Sequence, residues 1–77
     1  MGLRIYVVGH TDSVGGFGSN MNLSMARAEA VAAVLAKQYG IDSARIKAHG
    51  VGPLAPASTN RSEDGRTANR RVELVEQ

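Results

Sequence analysis

The order of apolar and polar residues divides the chain into alternating strands and helices. A short, β-branched apolar run at residues 3–8 predicts a buried strand, and residues 20–38 carry apolar side chains at helical spacing, which predicts an amphipathic helix. A second strand is predicted at Ile46–Gly50. Because a strand, a helix and a strand of these lengths form one βαβ unit, we expect parallel neighbouring strands with a right-handed crossover.

The ends of both predicted helices carry residues that are typical of caps. For the first helix we expect Ser19 or Asn20 at the N-terminus and Gly40, in a left-handed conformation, just after the C-terminus. The pattern at residues 60–63 fits a capping box for a short helix that runs to about Asn69.

The last predicted element is a strand at residues 71–75, in which Val72 and Leu74 share one face. The expected fold is therefore an α/β two-layer domain with a mixed sheet, made of one βαβ unit, a short helix and a final strand antiparallel to the first. We expect residues 1–77 to form a single domain. One long helix leaves part of such a sheet uncovered, so we expect a preceding strand and helix, or a partner chain, to cover it.

Composition excludes several classes of protein and site. The chain has 77 residues, no cysteine and a net charge of +2. It can therefore form neither a disulfide nor a thiolate metal site, and the mild charge differs from that of a dedicated nucleic-acid binder. No apolar run approaches the roughly 20 residues that cross a bilayer, so a membrane can be reached only through parts of a parent protein outside this sequence.

One charged residue, Arg27, lies in line with the apolar stripe predicted for the long helix. The stripe consists of Leu23, Ala30, Val31, Val34 and Leu35. A buried guanidinium without a partner costs about 3–5 kcal/mol, so we expect Asp12, in the preceding loop, to be its anion. Such a pair can bind a ligand that carries both an ammonium and a carboxylate. The alternatives are a closed salt bridge that only ties the loop to the helix, and an Arg27 that reaches solvent at the edge of the stripe.

Two other groups of residues define alternative functions. The glycines of residues 15–18 precede a helix and can present backbone N–H groups to an anion, although their spacing fits neither a Walker loop nor a dinucleotide fingerprint. His10, Asp12 and His49 could hold zinc in a hydrolase, although their spacing matches no known zinc motif. The alternative for both histidines is a structural role at a strand end.

A group of four arginines near the C-terminus defines a third alternative, a phosphate-binding patch. The group consists of Arg61, Arg66, Arg70 and Arg71. No aromatic residue lies among them to stack on bases, and acidic residues interrupt the run. Since Arg70 and Arg71 are adjacent at a strand entry, at most one of them is expected to face a ligand.

Three blocks of the sequence together resemble the OmpA-like C-terminal domain, which is shared by OmpA, Pal, MotB and YiaD-type envelope proteins. The blocks are Gly9-His10-Thr11-Asp12, Asn20-x-x-Leu23-Ser24-x-x-Arg27-Ala28 and Gly65-Arg66-x-x-Asn69-Arg70-Arg71-Val72-Glu73. The match extends over nearly the whole chain in register. It departs from the family at the start, because the family's first strand and helix are lacking, so the resemblance implies an N-terminally truncated domain.

The resemblance implies a non-catalytic module, without cofactor or metal, that binds peptidoglycan non-covalently through the meso-diaminopimelate of the stem peptide. Carried over by motif, Asp12 would receive the ligand ammonium and Arg27 would bind its carboxylate. Thr11, Asn20 and Arg70 occupy further positions that line the same pocket, and Leu23 would be a packing residue at its floor.

The resemblance also implies a periplasmic location, associated with the outer membrane, in which the domain anchors an envelope protein to the cell wall. The expected partner is the peptidoglycan stem peptide, no nucleic acid is expected, and a second copy of the chain is a further candidate partner. The alternative function is a structural or oligomerisation module of an envelope protein without direct ligand binding.

Overall fold

The computed structural model describes residues 2–77, which form three strands, two α-helices and one turn of 3₁₀-helix. The elements are β1 (Ile5–Gly9), α1 (Phe17–Gln38), the 3₁₀ turn (Ser43–Arg45), β2 (Ile46–Gly50), α2 (Glu63–Asn69) and β3 (Val72–Glu76). Among these residues, neither α-helix has the length and apolar character that crossing a bilayer requires.

The three strands form one mixed sheet in the order β2-β1-β3. In the central strand, Ile5 lies opposite Ile46 of the parallel strand β2 and opposite Glu76 of the antiparallel strand β3. The predicted α/β fold is therefore confirmed, including the parallel βαβ pair and the antiparallel direction of the last strand.

Helix α1 packs on one face of the sheet, and two glycines bring its first half close to the strand ends. The core consists of Ile5, Val7 and Ala28. A Cβ atom at Gly9 would overlap the backbone carbonyl of Ser24, and a Cβ atom at Gly50 would overlap the backbone nitrogen of Met25. This close approach places the start of α1 beside the loops that follow β1 and β2.

The predicted boundaries of two strands are shifted. Strand β1 begins at Ile5 rather than at Leu3, which is 51% exposed, and it extends to Gly9 because this residue still pairs with both neighbouring strands. Strand β3 begins at Val72, one residue later than predicted, whereas β2 has the predicted bounds.

The predicted N-terminus of the long helix is wrong. Helix α1 begins at Phe17, after an extended Gly16 at the N-cap, and no side chain caps it. The N–H of Asn20 donates to the Gly16 carbonyl, so Ser19 and Asn20 are already helical. The predicted C-terminus is correct, because Gly40 has φ +67° directly after the helix end.

The apolar stripe predicted for α1 is also wrong over most of its length. The buried residues of the helix are Asn20, Ser24 and Ala28, whereas Leu23 is 43% and Val34 44% exposed. The reason is the close approach at the strand ends, which leaves room only for small or hydrogen-bonded side chains on the buried face. Further along the helix, partly buried Val31, Ala32 and Leu35 pack against the core.

Helix α2 begins with a different cap from the one predicted. Ser62 is the N-cap, and its hydroxyl accepts a hydrogen bond from the N–H of Gly65, so the capping box predicted from residues 60–63 is wrong. The helix ends at Asn69 as predicted. Because a Cβ atom at Gly65 would overlap the Thr59 carbonyl, the lack of a side chain at this position lets the preceding loop pack against the helix.

Candidate functional site

The loop that follows β1 is buried and is held from two sides. His10, Thr11 and Asp12 are each less than a tenth exposed. The N–H of His10 donates to the carbonyl of Arg71 at 2.8 Å, and the N–H of Thr11 donates to the carbonyl of Gly52 at 2.9 Å. These bonds fix the loop between the entry of β3 and the loop after β2.

The carboxylate of Asp12 has a hydrogen-bond partner on each oxygen. Its Oδ1 accepts from the backbone N–H of Val14 at 2.9 Å, and its Oδ2 lies 2.6 Å from Nη1 of Arg70. The hydrogen bond from Val14 and then the bond from Arg70 lower the pKa of Asp12 below its ordinary value, because both favour the charged form. The loop therefore presents an oriented, ionised carboxylate.

The predicted ion pair between Asp12 and Arg27 is wrong, because the partner of Asp12 is Arg70. Arg27 is half-buried and forms no salt bridge within residues 2–77. It tolerates this because it lies beside the buried face of α1, not within it. The position matches the alternative in which the guanidinium reaches solvent at the edge of the apolar surface.

The position of Arg27 on α1 is related to the Asp12 loop through Asn20. The side-chain amide of Asn20 donates to the carbonyl of Val14 at 3.0 Å and to that of Asp12 at 3.4 Å. Arg27 follows Asn20 by two helical turns, about 10.5 Å along the same side of the helix, and helical side chains lean toward the N-terminus. The free guanidinium is thus carried on the side of α1 that meets the loop.

Arg70 and Arg71 point to different partners, as the sequence predicted for adjacent residues at a strand entry. Arg70 bonds to Asp12 and, through Nη2, to Oε1 of Glu63 at 2.6 Å. Arg71 donates instead to the carbonyl of Ala55 at 3.0 Å. Because carboxylates already pair with Arg66 and Arg70, these side chains do not form a free phosphate-binding patch.

Two further predicted site residues, Thr11 and Leu23, have different surroundings. The hydroxyl of Thr11 donates to the carbonyl of Asp12 at 2.8 Å, within its own loop, and Leu23 lies exposed on α1. The described residues enclose no cavity that would match the predicted pocket. Asp12 is 7% exposed and Arg27 is half-buried. Ligand contacts by Thr11, Asn20 and Leu23 stay predictions.

The zinc site proposed from the two histidines is not assembled. His10 is buried with its Nε2 2.9 Å from Oε1 of Glu73, outside hydrogen-bonding geometry. His49 is exposed and packs its ring against Tyr6, with the centroids 5.6 Å apart. Among residues 2–77, no three His, Asp or Glu side chains are grouped so that they could hold a metal ion.

Sequence reasoning missed two buried polar residues that shape the site. Asn69 is fully buried, and its side-chain oxygen accepts from the N–H groups of Ala57 and Ser58 at 2.7 and 2.9 Å. The hydroxyl of Ser24, also fully buried, accepts from the N–H of Gly52 at 2.9 Å. Both residues stand at fixed positions in the sequence blocks named above, which was the signal available for finding them.

A profile of the OmpA family matches residues 2–70. The chain belongs to the OmpA family. It is 46% identical over 71 residues to the probable lipoprotein YiaD of Escherichia coli, a match that covers 92% of this chain and 32% of the relative. It is 48% identical over 67 residues to outer membrane porin F of Pseudomonas aeruginosa, and this match covers 87% of this chain and 19% of the relative.

Solved structures of OmpA-family domains have the same fold. The peptidoglycan-associated lipoprotein of Burkholderia pseudomallei superimposes with a TM-score of 0.91 at 33% identity, covering 97% of this chain and 63% of that one. The cell wall anchor of the T6SS from Pseudomonas aeruginosa superimposes with a TM-score of 0.81 at 38% identity, covering 94% and 52%. The C-terminal domain of Helicobacter pylori MotB superimposes with a TM-score of 0.88 at 33% identity, and the match covers 97% of this chain and 57% of that one.

This chain spans a third or less of the two sequence relatives and between half and two thirds of these solved chains. The relatives are outer-membrane proteins and lipoproteins by name, which agrees with the predicted location in the periplasm at the outer membrane. Domains of this family are structural binding modules rather than enzymes, so the prediction of a non-catalytic chain is confirmed by its family.

Proposed function

We propose that this domain binds peptidoglycan without covalent attachment and thereby anchors an envelope protein to the cell wall. Family membership supports association with peptidoglycan, because the similar structures include a peptidoglycan-associated lipoprotein and a cell wall anchor. The described residues enclose no cavity, which suits a polymer that lies across the domain better than a small enclosed ligand.

Within this function, the proposed ligand is the diaminopimelate of the stem peptide. Its side-chain end carries an ammonium and a carboxylate. Asp12 would receive the ammonium and Arg27 the carboxylate. The observation that carries the proposal concerns Arg27, which is half-buried and has no carboxylate partner among residues 2–77. It lies on the side of α1 that Asn20 joins to the Asp12 loop.

The two charges complement this ligand because one is oriented and the other is free. Asp12 is held in its ionised form by the Val14 N–H and by Arg70. Arg27 can still form the bidentate, charge-assisted hydrogen bonds that guanidinium groups make with carboxylates. A lysine-type stem peptide would satisfy Asp12 only, since it lacks the second carboxylate.

The test is an NMR titration with a muramyl peptide that contains diaminopimelate, compared with a matched peptide that contains lysine. We expect amide shifts around Asp12 and Arg27 with the first peptide and much weaker shifts with the second. Arg27→Ala should weaken binding of the diaminopimelate peptide about 10- to 100-fold, because hydrogen bonds to charged groups contribute about 1.5–3 kcal/mol. It should change the free energy of unfolding by less than about 0.5 kcal/mol.

Lys37→Ala is the matched control, since it removes one positive charge from the exposed last turn of the same helix. We expect it to bind like the unmodified protein. Equal affinities for the two peptides, or an Arg27→Ala variant that binds like Lys37→Ala, would contradict the proposed roles.

The second candidate function is an oligomerisation module, and the free edge of the sheet favours it. Strand β3 lies at this edge, with Leu74 56% and Val75 45% exposed. An uncovered strand edge can pair with a second copy of the chain. Sedimentation that depends on protein concentration, combined with no response to the diaminopimelate peptide, would favour this function over the first.

A further inference from the structure

Glu63 makes contacts that the proposed roles of Asp12 and Arg27 do not require. It lies at the first position of α2, and its side chain is 64% exposed. Even so, its Oε1 lies 2.6 Å from Nη2 of Arg70, and its Oε2 accepts from Nε and Nη2 of Arg66 at 3.2 and 3.1 Å. Because both of its carboxylate oxygens contact arginines, the side chain of this exposed glutamate is held in one position beside the site.

The contacts of Glu63 complete a row of alternating charges that ends at the proposed ligand. The row runs Asp12, Arg70, Glu63, Arg66, and its successive members are in contact. With Glu63 ionised, the two carboxylates balance the two guanidinium groups. Without that charge, the row would carry one positive charge in excess, directly behind the carboxylate that is proposed to receive an ammonium.

The consequence for a cation at Asp12 follows from the charge that Arg70 contributes. A carboxylate paired with a guanidinium is a neutral pair and attracts a second cation weakly. A second anion on the same guanidinium restores part of the attraction for a cation, because Coulomb interactions at a protein surface still act over a few ångströms. The chain supplies this anion through Glu63, which shares Arg70 with Asp12.

We propose that Glu63 is a specificity-determining residue that preserves the preference of the Asp12 end of the site for an ammonium group. This inference rests on the proposed function of the site. Glu63 acts through Arg70 and does not touch the ligand. Its role predicts an effect on ligands that carry a free amine and little effect on ligands in which that amine is neutral.

Asp64 provides a matched control, because it is the next residue in the first turn of α2 and is also exposed. It forms no salt bridge within residues 2–77. Glu63→Gln and Asp64→Asn each remove one negative charge from the same helix turn and leave the side-chain shape unchanged. A difference between them therefore reports the contact with Arg70 rather than the net charge of the domain.

The experiment measures the affinities of Glu63→Gln, Asp64→Asn, Glu63→Asp and the unmodified protein for the diaminopimelate peptide and for the same peptide with its free amine acetylated. We expect Glu63→Gln to bind the free amine about twofold to fivefold more weakly than Asp64→Asn, as suits an exposed charge. The difference should shrink in high salt and disappear with the acetylated peptide. Glu63→Asp, which keeps the charge, should retain most of the affinity.

The outcomes separate this inference from the function on which it rests. If the unmodified protein binds neither peptide, both the proposed function and the role of Glu63 are overturned. If it binds the free amine and Glu63→Gln equals Asp64→Asn, only the role of Glu63 is overturned. Tighter binding by Glu63→Gln would also overturn it, because Glu63 would then compete with the ligand for Arg70.

Discussion

Three buried polar side chains, those of Asn20, Ser24 and Asn69, form hydrogen bonds with the backbone of loops. The amide of Asn20 bonds to the loop after β1, and the hydroxyl of Ser24 accepts from the loop after β2. Asn69 bonds to the backbone of Ala57 and Ser58. Since loop backbone has no ladder to satisfy its N–H and C=O groups, these side chains supply the missing partners. The shape of the binding surface therefore depends on residues that need not contact a ligand.

Asn69 allows a direct test of this dependence. Its side-chain amide also donates to Ser58 O and to Asn60 Oδ1, at 3.0 and 2.8 Å, so the residue satisfies several groups at once. We expect Asn69→Ala to lower the free energy of unfolding by about 1–3 kcal/mol, because it removes the hydrogen bonds of a fully buried side chain. Urea denaturation measures the change. Asn22→Ala, at an exposed position of α1, is the control and should stay within about 0.5 kcal/mol. Equal effects of the two substitutions would contradict the role of Asn69.

At the scale of single residues, the sequence predicts candidate site residues but assigns Asp12 the wrong ion-pair partner. Asp12 and Arg27 were recognised from a charge in an apolar stripe and from motif positions, whereas the structure pairs Asp12 with Arg70, 58 positions later. Proximity along the chain favoured Arg27 as the partner. The entry of β3 brings Arg70 to Asp12 only after β3 has paired with β1, so no local pattern could indicate this contact.

At the scale of elements, the packing of α1 on the sheet depends on a glycine at the end of β1. A Cβ atom at Gly9 would overlap the carbonyl of Ser24, which belongs to the helix backbone and cannot rotate away. We expect Gly9→Ala to destabilise the fold by about 1–3 kcal/mol, as overpacking does, and to broaden or shift the NMR signals of the Asp12 loop. Thermal and urea unfolding measure the first effect.

Gly18→Ala is the matched control for Gly9→Ala. Gly18 lies inside α1, and a Cβ atom there would meet nothing within 4 Å. Since alanine favours the helix and reduces the freedom of the unfolded chain, Gly18→Ala should raise the free energy of unfolding by about 0.4–1 kcal/mol. A destabilised Gly18→Ala variant, or an unaffected Gly9→Ala variant, would show that the close approach of helix and sheet does not determine stability.

The elements themselves were predicted well where one physical signal dominated. Strand β2, whose residues alternate between partly buried and exposed, has the predicted bounds, and Gly40 ends α1 as expected. The start of α1 was misplaced because Gly16 caps it without a side chain. Its buried face was misassigned because that face begins with Asn20 and Ser24, whose burial depends on hydrogen bonds to loops that periodicity cannot indicate.

At the scale of the whole molecule, carboxylates stabilise the arrangement of the C-terminal elements around the β1 loop. Arg70, between α2 and β3, bonds directly to Asp12 and also to Glu63 at the start of α2. Glu73 of β3 pairs with Arg71 at 3.3 Å. Few core residues hold α2 and β3 in place, since helix α1 packs mainly against β1 and β2 and makes few contacts with β3. Stability should therefore depend on the ionisation of these carboxylates.

The sign of this dependence follows from the pKa shifts. The pKa of Asp12 is lowered from its ordinary 3.8, first by the Val14 N–H. The pKa of Glu63 is lowered from 4.5, first by Arg70, and that of Glu73 from 4.5, first by Arg71. A group whose pKa is lower in the folded state stabilises the fold above its unfolded pKa, and this contribution is lost as the pH falls through its folded pKa. Stability should thus be retained down to about pH 5 and then decrease progressively.

Urea unfolding at pH 7, 5, 4 and 3 measures this decrease, and Glu73→Gln isolates one of its sources. The variant should be less stable than the unmodified protein at pH 7, because the ion pair with Arg71 is lost. The gap between the two proteins should narrow as the pH falls, because the unmodified protein loses the contribution of ionised Glu73 as the pH falls through its lowered folded pKa. A midpoint that stays constant or rises from pH 5 to pH 3 would contradict the expectation. A gap between the two proteins that widens on acidification would contradict it too, since it requires Glu73 to stabilise the fold in its neutral form.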